Sequence, residues 1–324
     1  MPDLATAKES NSKFSPSSIP VAVVVGGNSG IGEAIVKAIA RYTGGKVHLI
    51  IISRNRTTAE NILTSLPTAT AEDGKPVLRE FMFCDAELME NIKTTAADLS
   101  ARLTKINFLV LSAGYADLWS GRQETAEGID KLLGLRYYSR FKYIYELLPL
   151  LRNAKEAGED ASVLSVLASG MGRAIDVNDL GLKHSYQAYK AMLVSGSYND
   201  IMVEVRLVFS SNFPLPLYHS QEFAKRNPDI SFTHIYPGLV NTPGTRPTHW
   251  ALRLFSPLIS LLVWLAAFSP EESAEYMLFA LFDGEKGFFH RSSKGDDLGM
   301  KGYPFTEEEK KAVWDHSVAV TRCA

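Results

Sequence analysis

Short apolar runs recur along this chain, each followed by a stretch whose apolar residues return at helical spacing. The runs Val21–Val25, His48–Ile52, Leu78–Phe83, Phe108–Leu111, Val163–Leu167 and Ser231–Tyr236 predict strands, and Phe288–Phe289 a short last one. Helical patterns occupy 31–42, 57–65, 87–103, 125–151, 184–204 and 271–282. Unbroken apolar strands alternating with amphipathic helices predict an α/β fold: a doubly wound parallel sheet with right-handed crossovers, in a single domain over 19–290.

Three stretches depart from that alternation. Residues 1–18 are polar, rich in Ser, Lys and Asn, and lack an apolar signal core, which predicts a disordered lead. Residues 291–324 read as a C-terminal tail. Residues 205–221 break a helical pattern with Pro214 and Pro216. Without them, Met202-Val203-Glu204 joins Glu222 to Arg226 in one amphipathic run. Two readings stand. The segment is a retained intron translated into protein, since valine codons open with GT and one glutamine codon closes with AG. Or it is a real substrate-lid loop.

The stretch 239–270 is apolar, with Trp250, Leu254, Phe255 and Trp264, and reads either as a cover over a lipophilic substrate or as ordinary core packing. Within it, 254–268 contains Pro257 and is shorter than the roughly 20 residues a membrane span needs. It is either a buried or subunit-facing helix or a peripheral membrane contact.

A net charge of −2 excludes a general nucleic-acid binder. The two cysteines, Cys84 and Cys323, show neither metal spacing nor a disulfide framework. No metal site is expected. The chain is expected in the cytoplasm, with peripheral association to an intracellular membrane as the variant that 254–268 allows.

Candidate chemistry begins at Val25-Gly26-Gly27-Asn28-Ser29-Gly30-Ile31-Gly32. A strand, a glycine turn and a helix follow one another here. Glycines let the backbone approach a phosphate, and the helix N-terminus holds the anion. This is the dinucleotide-binding context of a Rossmann-type sheet. The second strand ends in Ser53-Arg54-Asn55-Arg56, where an acidic residue would favour NAD. Arginines there favour a 2′-phosphate, and hence NADP(H). Downstream, Tyr186 and Lys190 stand four apart, on one face of the predicted helix. An ammonium beside a phenol lowers the phenol's pKa toward the range of acid–base work.

With these residues in this order, residues 20–285 resemble the short-chain dehydrogenase/reductase family. Gly26, Gly30 and Gly32 match its cofactor turn, with Asn28, Ser29 and Ile31 between them. Arg54 and Asn55 fall at the ribose position and Asp85 at the adenine contact. Ser112-Ala113-Gly114 resembles its Asn-Ala-Gly turn. Tyr186 and Lys190 match its active pair, and Pro237-Gly238-Leu239-Val240-Asn241-Thr242 its Pro-Gly-x-Val-x-Thr segment. The resemblance implies hydride transfer between NADP(H) and a lipophilic ketone/alcohol pair, of the kind reduced in fungal secondary metabolism or by retinol-dehydrogenase-like enzymes. Tyr186 is then the acid/base. Lys190 tunes it and holds the nicotinamide ribose. Thr242 reaches the carboxamide. The resemblance also allows a homodimer through the helices near 125–151 and 184–204.

Two positions depart from the family pattern. The substrate-binding serine falls on Leu167 and Ala168 in a gapless pairing, which makes Ser169 the candidate and leaves Ser165 inside the strand. In the long helix after the fourth strand, Arg136 stands where an asparagine supports a proton relay, and its charge is expected to depress the Tyr186 pKa further. These departures motivate the alternative of a cofactor-binding member with lost or altered redox activity: an isomerase, a cyclisation aid or a regulator.

Overall fold

The computed structural model describes residues 1–70, 74, 76–203, 223–242, 266–299 and 302–322. Its centre is a seven-stranded sheet in the order β3-β2-β1-β4-β5-β6-β7, every pair parallel. The strands are β1 (Val21–Val25), β2 (His48–Ser53), β3 (Arg79–Phe83), β4 (Phe108–Leu111), β5 (Ser162–Val166), β6 (Ser231–Ile235) and β7 (Gly287–Arg291). Four of them, β1, β4, β5 and β6, are buried along their whole length. Helices cover both faces, which explains why these strands read as continuous apolar runs.

Chain order reverses between β1 and β4. Val25 pairs with Ile52 on one side and Leu111 on the other, so three strand ends stop at one level. The crossovers leave a crevice above these carboxyl ends, the place where open α/β sheets bind ligands.

The expected disordered lead is instead a helix. α1 (Leu4–Ser12) is capped by Asp3, whose carboxylate accepts from the Thr6 amide at 2.8 Å. It docks on the later helix Pro270–Leu281. The Asn11 amide donates to the Glu275 carbonyl at 2.9 Å and to its carboxylate at 3.0 Å. The Phe14 ring stacks on Phe282 at 3.8 Å between centroids. A polar stretch becomes ordered because its few apolar residues find a partner more than two hundred residues away.

The expected tail is likewise folded. Its helix, Glu307–Thr321, starts in a capping box of Thr306 and Glu309. Val313 and Trp314 are buried, Trp314 edge-on to Phe141 and Phe223.

The remaining helices include α2 (Gly30–Tyr42), α3 (Arg56–Ser65), α4 (Met89–Arg102), α5 (Lys131–Leu133), α6 (Ser139–Glu156), α7 (Ala188–Val203) and α8 (Phe223–Arg226), with α9 (Pro270–Leu281) and α10 (Glu307–Thr321) as above. Two expected starts move. The 125–151 pattern begins its helix only at Lys131, where Asp130 caps the Leu133 amide, and runs through a π turn at Gly134–Tyr138. The 184–204 pattern begins at Ala188, so Tyr186 precedes the helix rather than sharing a face of it with Lys190. The 205–221 segment lies outside the described residues, as does all of 254–268 except its last three positions. Among the described residues, no helix is long and apolar enough to cross a membrane.

Candidate active site

The glycine turn is shaped by steric necessity. Gly26 adopts φ +84° and Gly30 φ +57°, where side chains are strained. A Cβ on Gly32 would stand 2.3 Å from the Gly26 carbonyl oxygen, so α2 packs directly against the turn. Ser29 is the N-cap of α2, yet its side chain makes no capping bond. The first-turn amides therefore face the crevice without a side-chain acceptor, a ready seat for an anion.

A cavity of about 390 Å³ lies above them. Gly26, Asn28, Ser29, Gly30 and Ile31 form its floor, and Arg54, Asn55 and Asp85 one end. Ala113, Gly114 and Thr242 close the other side. Arg54 is 60% exposed and faces Glu87 at 3.6 Å and Asp85 at 4.0 Å. Such loose, solvated pairing leaves its guanidinium available. Asn55 caps α3, accepting from the Thr58 amide at 3.1 Å. Arg56, the other expected arginine, is turned away: it pairs with Glu60 at 2.8 Å and lies over the Phe81 ring. The shape and donors suit a dinucleotide, with glycines where a Cβ would block it.

A second cavity of similar volume adjoins the first and shares Ser112, Tyr115 and Thr242 with it. Pro237 and Val240 stand on its wall with Leu167, Ala168, Met171 and Met192. The bridge between Val240 and Phe268 holds that wall, with the Asn241 amide donating to the Phe268 carbonyl at 3.0 Å.

The three expected catalytic side chains are not brought together on these walls. Tyr186 is half-buried against the core, and its phenol faces Asp130, Asp117 and Tyr115. Burial first, then the Asp130 and Asp117 carboxylates, pushes its pKa up to about 12, the reverse of the expected depression. Lys190 donates to the Ser185 hydroxyl at 2.6 Å. Ser169 is buried, and its hydroxyl has no hydrogen-bond partner among the described residues. Ser165 does lie inside β5, where it accepts from Arg140 at 2.7 Å and donates to Asn199 at 2.8 Å.

Arg136 does not act on Tyr186 in the expected way either. Its Nε donates to the Ser195 hydroxyl at 3.0 Å and its Nη1 to the Tyr115 carbonyl at 3.1 Å, on the wall of the second cavity. One turn on, Arg140 donates to the carbonyls of Leu111 at 2.8 Å and Ala113 at 2.9 Å. Together the two guanidiniums clasp the carbonyls of residues 111, 113 and 115, the turn that divides the cavities. Arg140 and Tyr115 escaped the sequence reading. Two arginines four apart in an otherwise apolar run were a visible signal of a buried polar task.

The short chain dehydrogenase family model matches residues 20–177. An oxidoreductase of Emericella nidulans is 33% identical over 242 residues, covering 75% of this chain, while the chain spans 65% of that relative's length. Human polyprenol dehydrogenase is 26% identical over 314 residues, covering 95% of this chain and 87% of the relative. Among solved structures, the NADPH-bound carbonyl reductase from chicken fatty liver superposes with a TM-score of 0.56 at 16% identity, covering 87% of this chain and 99% of the other. The glycine turn, the sheet order and these likenesses agree: the chain belongs to the short-chain dehydrogenase/reductase family.

Proposed function

We propose that this protein is an NADP(H)-dependent oxidoreductase that moves a hydride between nicotinamide and the carbonyl/alcohol carbon of a lipophilic substrate, with Tyr186 as acid/base. The observation that carries the cofactor choice is Arg54 at the mouth of the glycine-floored cavity, loosely paired and largely exposed. The apolar second cavity supports a lipophilic substrate, as does the likeness to a polyprenol dehydrogenase.

The bound cofactor supplies or accepts the hydride. The chain does the rest. The α2 amides neutralise the diphosphate, and Arg54 takes the 2′-phosphate. Asp85 and Thr242 orient the two ends. Tyr186 keeps its proton at neutral pH, which suits a donor to the developing alkoxide in the reducing direction. For that it releases Asp130 and turns to the cavity. Catalytic contacts often tighten only in the complex. Lys190 leaves Ser185 for the ribose hydroxyls, and Ser169 turns its buried hydroxyl outward to the substrate oxygen.

The placement of Tyr186, Lys190 and Ser169 off the cavity walls favours a second reading, a cofactor-binding protein whose redox role is lost or altered. One experiment separates the two. NADPH consumption with a panel of lipophilic ketones and aldehydes, abolished in Tyr186→Phe, supports the reductase. Tight NADPH binding without turnover of any carbonyl sinks it.

A further inference from the structure

Among its described lining residues the second cavity carries charge at one point only; the rest is apolar or, at Ser112, Tyr115, Tyr236 and Thr242, neutral. Leu167, Met171, Met192 and Leu193 line it, and the described lining contains no carboxylate. The charged point is the Arg136–Arg140 pair. Arg136 is 8% exposed and Arg140 2%. Neither meets a carboxylate among the described residues; their acceptors are carbonyl and hydroxyl oxygens. Burial pulls the Arg136 pKa down to about 10 and that of Arg140 to about 9, so both stay cationic at neutral pH.

Two desolvated cations one helical turn apart repel each other, and neutral acceptors offset this only in part. The site is short of one negative charge. Arg140 is almost fully buried, and its Nε has no partner among the described residues. Arg136 borders the open cavity, and its Nη2 has no partner among the described residues. A single guanidinium edge in an otherwise uncharged wall suits a carboxylate better than a phosphate dianion, which would need more donors.

We infer that Arg136 is the anchoring cation for the substrate, and that the substrate is an apolar carbonyl compound, or its alcohol, bearing a carboxylate that docks on the free edge of the guanidinium. This deepens the oxidoreductase reading and rests on it for the carbonyl, but not for the carboxylate. Arg136 sets specificity; it does not move the proton.

The test uses the full chain with NADPH bound. A straight-chain ω-oxo fatty acid and its methyl ester are compared as substrates, and decanoate and decanol as unreactive ligands by calorimetry. The acid is expected to exceed the ester in kcat/KM by about 10- to 100-fold, mainly through KM. Decanoate should bind and compete at least about tenfold more tightly than decanol. Arg136→Gln should bring acid and ester to the same kcat/KM and remove decanoate binding while the NADPH dissociation constant holds. Arg136→Lys should recover part of the acid's advantage. Equal turnover of acid and ester, or no binding of decanoate to the wild-type protein, overturns the inference and leaves the reductase reading intact. Binding of decanoate that depends on Arg136, without turnover of any carbonyl, upholds the anchor and sinks the reductase. Should Arg136→Gln fail to fold, the wild-type comparisons decide alone.

Discussion

Gly26 lies so close under Ala113 that a Cβ on the glycine would stand 2.6 Å from the Ala113 nitrogen. The phosphate turn and the turn after β4 are thus in backbone contact, and neither can shift alone. Gly26→Ala combines this clash with a strained positive φ, costing about 1–2 kcal/mol from the dihedral alone. The expected result is a lower melting temperature and at least about tenfold weaker NADPH binding, followed by nicotinamide fluorescence. Wild-type affinity in this variant would mean the cofactor does not lie on the turn.

Arg54 and Arg56 differ in how they are held: Arg54 is loosely paired at the mouth of the first cavity, and Arg56 lies outside its lining. Arg54→Asp should weaken NADPH binding by about 10- to 100-fold and favour NADH. Arg56→Ala should leave the NADPH/NADH ratio alone, because Arg56 is held by Glu60 and the Phe81 ring. Competitive titration of the two cofactors measures both.

Tyr186 makes a prediction with a definite sign. The pKa near 12 belongs to the free protein, which kcat/KM reports, so kcat/KM for alcohol oxidation, which needs the phenolate, should rise about tenfold per pH unit across pH 7–10. Carbonyl reduction, which needs the phenol, should stay level there. Asp130→Asn removes a neighbouring negative charge and should move the oxidation profile to lower pH. A plateau in that kcat/KM profile below pH 8 would mean that Tyr186 does not face Asp130 in the free enzyme.

Glu275 ties the N-terminal helix to the body. Beyond Asn11, its carboxylate meets Arg41 at 2.5 Å and the Tyr42 hydroxyl at 2.7 Å. Glu275→Ala takes a carboxylate partner from the buried Asn11 amide, while the half-exposed Arg41 turns to water, and should cost about 1–2 kcal/mol in urea unfolding. Deleting residues 1–14 should destabilise comparably and expose Phe282 and Phe108, which rest on Phe14. An unchanged midpoint would argue that α1 does not dock.

His234 and His316 give stability a pH slope. Burial lowers both below the ordinary 6.5, despite the Asp200 carboxylate 2.7 Å from His234. The unfolded chain takes up protons near pH 6.5 that the fold refuses. Stability is therefore complete above that pH and declines as pH falls toward the folded values, by up to about 1.4 kcal/mol per pH unit for each group. Urea midpoints at pH 7.5 and 5.5 check this. His316→Gln should flatten the slope.

The strands, their parallel winding and the glycine turn were legible in the sequence because each rests on local information. Apolar runs report burial on both faces, and glycines report where backbone must approach backbone. The expected cofactor positions accordingly line the two cavities, apart from Gly32, which packs beneath the turn, and the pair Tyr186 and Lys190. What only the tertiary structure decided depends on distant partners. Residues 1–18 look solvated until Glu275 and Phe282 appear beside them, and Tyr186 looks like a neighbour of Lys190 until the helix begins two residues too late. The buried arginines make the same point. Spacing puts Arg136 and Arg140 in one helical run, but only packing against Leu111, Ala113 and Tyr115 buries them with no carboxylate beside them among the described residues.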